Sequence, residues 1–117
     1  MGSLSPFVLV NGSGVTYNTS SDYRLKENQV SISDAISKVK QLKPYTFNFK
    51  ADSSTTFDGF FAHEVSSAVP EAINGTKDEV DKDNNPVYQS IDQSRLVPLL
   101  VAAVQELITK VETLEAA

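Results

Sequence analysis

Cysteine and tryptophan are absent from this 117-residue chain, histidine and methionine occur once each, and no apolar run approaches the roughly 18 residues of a membrane-spanning helix. Without cysteine there is no disulfide framework, no thiolate metal site and no cysteine nucleophile. A single histidine excludes a multi-histidine metal cluster, so no metal and no cofactor is expected. Positive charge is scarce as well. Ten Lys plus Arg stand against fifteen Asp plus Glu, for a formal net charge of -5, and no block is basic enough to release counterions along nucleic acid. Neither nucleic acid nor a membrane is expected as a partner. What is present, 40% hydrophobic and 21% charged residues, suits one modest core and argues against disorder or a two-domain enzyme.

Charge is also unevenly spread. From Ser5 to Ser20 the chain carries none, and Phe7, Val8, Leu9 and Val10, then Asn11-Gly12, then Val15 and Tyr17 predict strand, turn, strand. Asp22, Arg24, Lys26 and Glu27 follow within six residues, which marks a boundary near Ser20 and Ser21. Beyond it, Ser33 is the expected N-cap of a helix carrying Ile32, Ala35, Ile36, Val39 and Leu42, stopped by Pro44. Tyr45, Phe47 and Phe49 alternate with polar residues and predict a half-buried strand. A loop rich in Asp, Ser and Thr is expected next, then a strand over Phe57 to Phe61 and a short helix ending at Pro70. The polar stretch Asn74 to Asp92, centred on Asn84-Asn85-Pro86, predicts a projecting hairpin. These elements together give an α+β fold.

The final stretch, a helix expected over 94–115, has the clearest period. Val97, Leu100, Val104, Leu107, Val111 and Leu114 are spaced three, four, three, four, three, with Val at each a position and Leu at each d position of a heptad. Such a seam calls for a partner helix. The choice of Val at a and Leu at d favours two strands in parallel, and the competing reading packs the helix on its own domain. With Ser94 as N-cap, Pro98 falls in the first turn, where its missing N–H has no internal acceptor to lose.

Chemistry concentrates in Ser21-Asp22-Tyr23-Arg24-Leu25-Lys26-Glu27-Asn28. A serine nucleophile needs a base, and a lysine can serve where burial or neighbouring positive charge favours its neutral form. Ser21 and Lys26 are one such pair, with Arg24 nearby; a solvated charged turn is the plain alternative.

That run resembles the opening signature of the C-terminal intramolecular chaperone domains of bacteriophage tailspikes, tail fibres and endosialidases. Further matches follow in order. Lys43-Pro44-Tyr45-Thr46-Phe47 resembles the family's Lys-Pro-x-x-Phe strand, and Gly59-Phe60-Phe61-Ala62-His63-Glu64-Val65 its Gly-Phe-Ile-Ala-Gln-Glu-Val segment. Pro70-Glu71-Ala72-Ile73 resembles Pro-Glu-Ala-Val, and Tyr88 to Leu107, including Ser94-Arg95-Leu96-Val97-Pro98-Leu99-Leu100, continues the likeness into the terminal helix.

The resemblance implies an intertwined homotrimer that helps the fibre or tailspike segment N-terminal to it to fold and then releases itself. On this chain the implied scissile bond is Ser20-Ser21, Ser21 is the implied nucleophile and Lys26 the implied base, with Asp22 and Arg24 in support. Residues 1–20 would then be the β-structured end of the mature fibre and residues 21–117 the chaperone. The implied setting is the host-cell cytoplasm during virion assembly, the mature fibre passing to the virion tail. A non-cleaving trimerisation or capping module of the same fold is the alternative. The implied trimer and the two-stranded preference of the heptad disagree.

Weaker signals remain. His63 stands where the family has glutamine, so a packing or interface role is expected. Asp81, Asp83 and Asn85 occupy the first three ligand positions of a calcium loop, but Pro86 sits where that loop needs glycine and Asp92 where it needs glutamate. No calcium site is expected.

Overall fold

The computed structural model describes residues 7–11 and 14–117, which fall into two units that part between Ser31 and Ile32. In the first unit, β1 (Phe7–Asn11) pairs antiparallel with β2 (Gly14–Asn18), in the register Phe7 to Asn18 and Asn11 to Gly14. The predicted strand pair is therefore present, while Gly12 of the predicted turn and the first six residues lie outside the described set. A 3₁₀ turn, Tyr23–Leu25, follows.

The second unit holds α1 (Ala35–Val39), β3 (Tyr45–Phe49), β4 (Asp52–Gly59), α2 (Ala62–Val65), β5 (Ile73–Asn74), β6 (Ser90–Ile91) and α3 (Val97–Ala116). The fold is α+β, with its sheets all two-stranded and antiparallel among the described residues. Its core is small: Ala35, Val65, Val69, Ala72, Leu96, Leu99 and Ala103 are buried, with Ile36, Val39, Phe60 and Ile91 packed against them. Leu99 and Ala103, one turn apart on α3, present the face that α1 covers.

Strand β4 is longer than expected and begins within the stretch anticipated as loop. Lys50 and Ala51 make a two-residue turn, so Asp52 pairs with Phe49 and the polar run Ser53 to Thr56 is drawn into the ladder, with a bulge between Phe47 and Phe49. β-Branched Thr55 and Thr56 suit that backbone. The strand stops at Gly59, which is buried beneath Phe47. A Cβ there would meet the Phe47 ring at 3.0 Å, so glycine lets the ring lie flat on the strand. The rings of Phe47, Phe49 and Phe57 lie within 5.2 to 6.2 Å of one another, centre to centre. Only Phe47 of the alternating aromatics is half-buried; Phe49 remains 59% exposed.

Helix α1 is shorter than the run to Pro44 suggested and is capped differently. Its N-cap is Asp34, not Ser33, in left-handed geometry (φ 56°) that aims no side chain at the helix end. The capping acceptor comes from 71 residues away. Glu106 on α3 accepts the Ala35 N–H at 2.9 Å and the Ile36 N–H at 3.3 Å, one carboxylate oxygen to each. A carboxylate there also faces the positive end of the peptide dipoles. Glu106→Ala leaves two partly buried N–H groups without an acceptor. It is expected to lower unfolding free energy by about 2 kcal/mol in a denaturant titration; a change under about 0.5 kcal/mol would contradict the capping role.

The predicted hairpin is present. It opens from the β5–β6 pair, where Ile73 faces Ile91 and Asn74 faces Ser90, and closes at a bridge between Val80 and Pro86. At its tip Asp81 Oδ1 accepts the N–H groups of Asp83 and Asn85, with Asn84 at φ 64°. The Asp81 carboxylate thus organises the turn.

Before α3 the chain makes a 3₁₀ turn, Gln93–Leu96, capped by Asp92, whose Oδ1 accepts the Ser94 N–H at 3.1 Å; the N-cap of α3 itself is therefore Leu96, not Ser94. Val97 begins α3, so Pro98 is its second residue, a place that needs no N–H. Along α3 the heptad seam is uncovered. Val97, Leu100, Val104, Leu107, Val111 and Leu114 are between 42% and 75% exposed, so the helix does not spend its seam on its own domain.

Candidate functional site

Two residues five apart in an extended chain stand about 17 Å from each other. Between Ser21 and Lys26 the 3₁₀ turn folds that distance away. Leu25 N–H donates to the Asp22 carbonyl at 3.1 Å and Lys26 N–H to the Tyr23 carbonyl at 3.2 Å, which returns the chain beside its own start. The result is a direct contact: Lys26 Nζ donates to Ser21 Oγ at 2.8 Å.

Asp22 fixes the turn. In extended backbone as N-cap, it accepts the Arg24 N–H on Oδ1 at 2.9 Å. The Arg24 guanidinium closes on the same carboxylate, Nε to Oδ1 and Nη2 to Oδ2, each at 2.9 Å. Such a two-pronged pair holds a plane as well as a distance. The Arg24 side chain, and then its backbone N–H, hold the Asp22 carboxyl below the usual aspartate range. The Asp22 carboxylate in turn raises the Arg24 pKa.

A depressed carboxylate contributes above its ordinary pKa and loses that contribution as pH falls through the lowered value. Acidification below the ordinary aspartate pKa of about 3.9 is therefore expected to release Arg24 and loosen the turn. Asp22→Asn should weaken it at neutral pH. The Arg24 amide resonance reports both, and an Arg24 amide that is indifferent to acid and to Asp22→Asn would contradict the cap.

The site lies open to solvent. Ser20 is half-buried, whereas Ser21 to Lys26 are exposed, and Ser20, Ser21, Asp22, Arg24 and Leu25 line a shallow cleft. Two properties follow that the sequence does not reveal. Lys26 is exposed, and the Arg24 charge that stood as a second source of activation is engaged by Asp22. In the contact as it stands Nζ is the donor. A general base needs the reverse, with the neutral amine accepting from the hydroxyl.

His63 is exposed and stacked on Phe61, ring centres 6.1 Å apart. Glu106, which sequence reasoning missed, had one signal: it extends the stripe of Leu99 and Ala103 by a further turn and so lies on the face that packs against α1.

No curated protein sequence matches the chain. One family model does, over residues 21–74, and its match opens on Ser21, the residue at which the charged turn and the Ser–Lys contact begin. That model is Peptidase_S74, chaperone of endosialidase. It ends at Asn74, so the likeness carried by Tyr88 to Leu107 lies beyond the matched segment. A peptidase name and a chaperone name meet in one segment, which also holds a serine and lysine in contact at its first turn; residues 21–74 match the chaperone-of-endosialidase family.

Proposed function

We propose that residues 21–117 form a homotrimeric intramolecular chaperone for the fibre or tailspike segment that precedes Ser21, and that it releases itself by cutting Ser20-Ser21. The observation that carries this reading is the 2.8 Å contact between Lys26 Nζ and Ser21 Oγ, at the first residue of the segment matching the family. Strands and carbonyl chemistry meet there: β2 ends at Asn18, two residues before the bond to be cut.

The reaction is an intramolecular acyl shift followed by hydrolysis. Ser21 Oγ attacks the Ser20 carbonyl carbon while Lys26, as neutral amine, takes the hydroxyl proton. Collapse of the tetrahedral species breaks the C–N bond, and the proton passes to the departing Ser21 nitrogen. Ser20 is then esterified to Ser21 Oγ. Water attacks the ester, restoring the Ser21 hydroxyl and leaving a carboxylate on Ser20 and a new amino terminus on Ser21. Nucleophile, base and substrate share one chain, so proximity replaces substrate binding and each chain reacts once.

Trimerisation serves folding by raising the effective concentration of strands that must pair across three chains. Cutting then leaves the fibre without its folding nucleus, trapped kinetically in the assembled state. In this reading assembly also encloses the Ser21–Lys26 contact, which the single chain leaves exposed, and so ties cutting to trimerisation.

One observation favours a second reading, a trimerisation module of the same fold that does not cut: the Arg24 charge is neutralised by Asp22 and Lys26 is solvated. N-terminal sequencing of fragments from purified protein separates the two. A fragment beginning Ser-Asp-Tyr-Arg supports cleavage at Ser20-Ser21. A fragment beginning elsewhere, or a chain that never fragments, overturns it.

A further inference from the structure

Cutting would change the chemistry of Ser21, and the turn around it is built to survive the cut. Each hydrogen bond that folds the turn joins two residues from Ser21 to Lys26: Leu25 N–H to the Asp22 carbonyl, Lys26 N–H to the Tyr23 carbonyl, the Arg24 N–H and guanidinium to the Asp22 carboxylate, and Lys26 Nζ to Ser21 Oγ at 2.8 Å. None of these reaches back across the Ser20-Ser21 bond. Ser20, by contrast, is half-buried and shares the shallow cleft with Ser21, Asp22, Arg24 and Leu25, so its departure with the fibre vacates a place of acyl size beside an exposed Oγ. The Ser21 nitrogen, an amide in the whole chain, becomes a primary amine on the same residue as the hydroxyl. Terminal amines titrate at about 7.7 to 8.0, so near neutrality a fraction is free base, and a hydroxyl served by an amine of its own chain terminus is the arrangement of N-terminal nucleophiles.

We propose that the cut chaperone accepts one acyl group from an activated ester, first on Ser21 Oγ and then on the Ser21 amine. This activity rests on the cleavage proposed above, which creates the amine, and it is the acyl shift of that cleavage run backwards on a foreign acyl group. Oγ attacks the carbonyl carbon of the ester while Lys26, as neutral amine, takes the hydroxyl proton. The bond from that carbon to the leaving alcohol breaks, the proton follows the alcohol, and the acyl group stays on Oγ. The unprotonated Ser21 amine then attacks the same carbonyl through a small ring, the bond to Oγ breaks, and a proton from the amine restores the hydroxyl. One ester is consumed, one alcohol is released and one amide is formed, with no oxidant or reductant. A geometry that lets Oγ reach a carbonyl held on the Ser21 nitrogen also lets that nitrogen reach a carbonyl held on Oγ, because both directions pass through one tetrahedral species. The amide leaves no free amine, so each chain accepts once.

p-Nitrophenyl acetate at about pH 8 tests it on wild-type protein after cutting, with both fragments present. Trypsin then releases residues 21–24, whose mass reports acetyl on Ser21 separately from acetyl on the lysines. Acetylation of Ser21 should run about tenfold or more faster than in the synthetic peptide Ser-Asp-Tyr-Arg-Leu-Lys-Glu-Asn, which carries the same groups without the fixed turn. Hydroxylamine should strip the acetyl from samples quenched early in acid, which protonates the amine and holds the ester, and should fail on samples taken late, when the acetyl is an amide. Protein taken before cutting has the hydroxyl without the amine, so any acetyl on its Ser21 should stay sensitive to hydroxylamine throughout. A cut chain whose Ser21 is acetylated no faster than the peptide, or whose acetyl resists hydroxylamine from the first sample, overturns capture by Oγ and leaves the cleavage reading standing. A chain that never cuts at Ser20-Ser21 overturns both.

Discussion

Ser21→Ala is expected to leave the chain whole under conditions in which the wild type separates into residues 1–20 and 21–117. Removing the attacking oxygen takes away the only route to the ester, and losses above about 1,000-fold are usual when a nucleophile is deleted. Lys26→Ala should slow cleavage by about 10² to 10⁴, because solvent must then accept the proton that Nζ would take. The two variants differ in a further way. With Lys26→Ala the ester still forms slowly, so hydroxylamine added during the reaction should yield a hydroxamate on Ser20, as it should with wild type. With Ser21→Ala no such adduct should form. Neither side chain supports the core, since both are exposed, so a shared loss of fold is not expected to confuse the comparison. Wild-type rates of cleavage in Ser21→Ala would contradict the assigned nucleophile.

The second large effect is expected from Leu107→Asp. Leu107 sits mid-seam and is 50% exposed on the single chain, so the aspartate costs little until helices associate. In a trimer it would set three carboxylates together where three leucines had been. Burying a leucine contributes about 1.5 to 3 kcal/mol relative to exposure. Three copies, before any repulsion, contribute about 4.5 to 9 kcal/mol per trimer, and because the midpoint of a monomer–trimer equilibrium varies as the square root of its dissociation constant, the midpoint should rise by about 40-fold or more. Thr109→Asp on the exposed face away from the seam is the control, and its association should match wild type. Circular dichroism should show helix retained in both. If assembly supplies the burial that Lys26 lacks, Leu107→Asp should also cut poorly at concentrations where wild type cuts well. An associated Leu107→Asp chain would contradict the seam.

The elements that sequence made legible are those whose determinants lie close together in the chain. Tyr45, Phe47 and Phe49 alternate and do form β3; the Val and Leu heptad does form one long helix; and the apolar residues around Asn11 do pair as strands. What stayed hidden depends on distant partners. Nothing local in Asp52 to Ser54 announces a strand, and the β-branched Thr55 and Thr56 alone do not place its start; the ladder to Phe47 and Phe49 does. Ser33 has the right chemistry for a cap, but the acceptor arrives from Glu106 on a helix far along the chain.

At the candidate site the same division holds. Ser21 and Lys26 were legible as a motif, and the turn that joins them was not. Asp22 and Arg24 could be placed near the pair from sequence, while their two-pronged contact, which occupies the Arg24 charge, is a matter of side-chain geometry. The exposed seam gained meaning only beside the buried stripe of Leu99, Ala103 and Glu106, which shows that α3 meets its own body with one face and holds the other free.

Cleavage between Ser20 and Ser21, carried out by the chain on itself, is the central claim. Intact-mass spectrometry of freshly purified protein, followed over time across a dilution series, tests it most directly. Wild type should give way to two masses, those of residues 1–20 and 21–117, faster as concentration rises, while Ser21→Ala keeps the mass of the whole chain. A wild-type chain that keeps its full mass at every concentration and temperature, or a Ser21→Ala chain that separates just as fast, would contradict it.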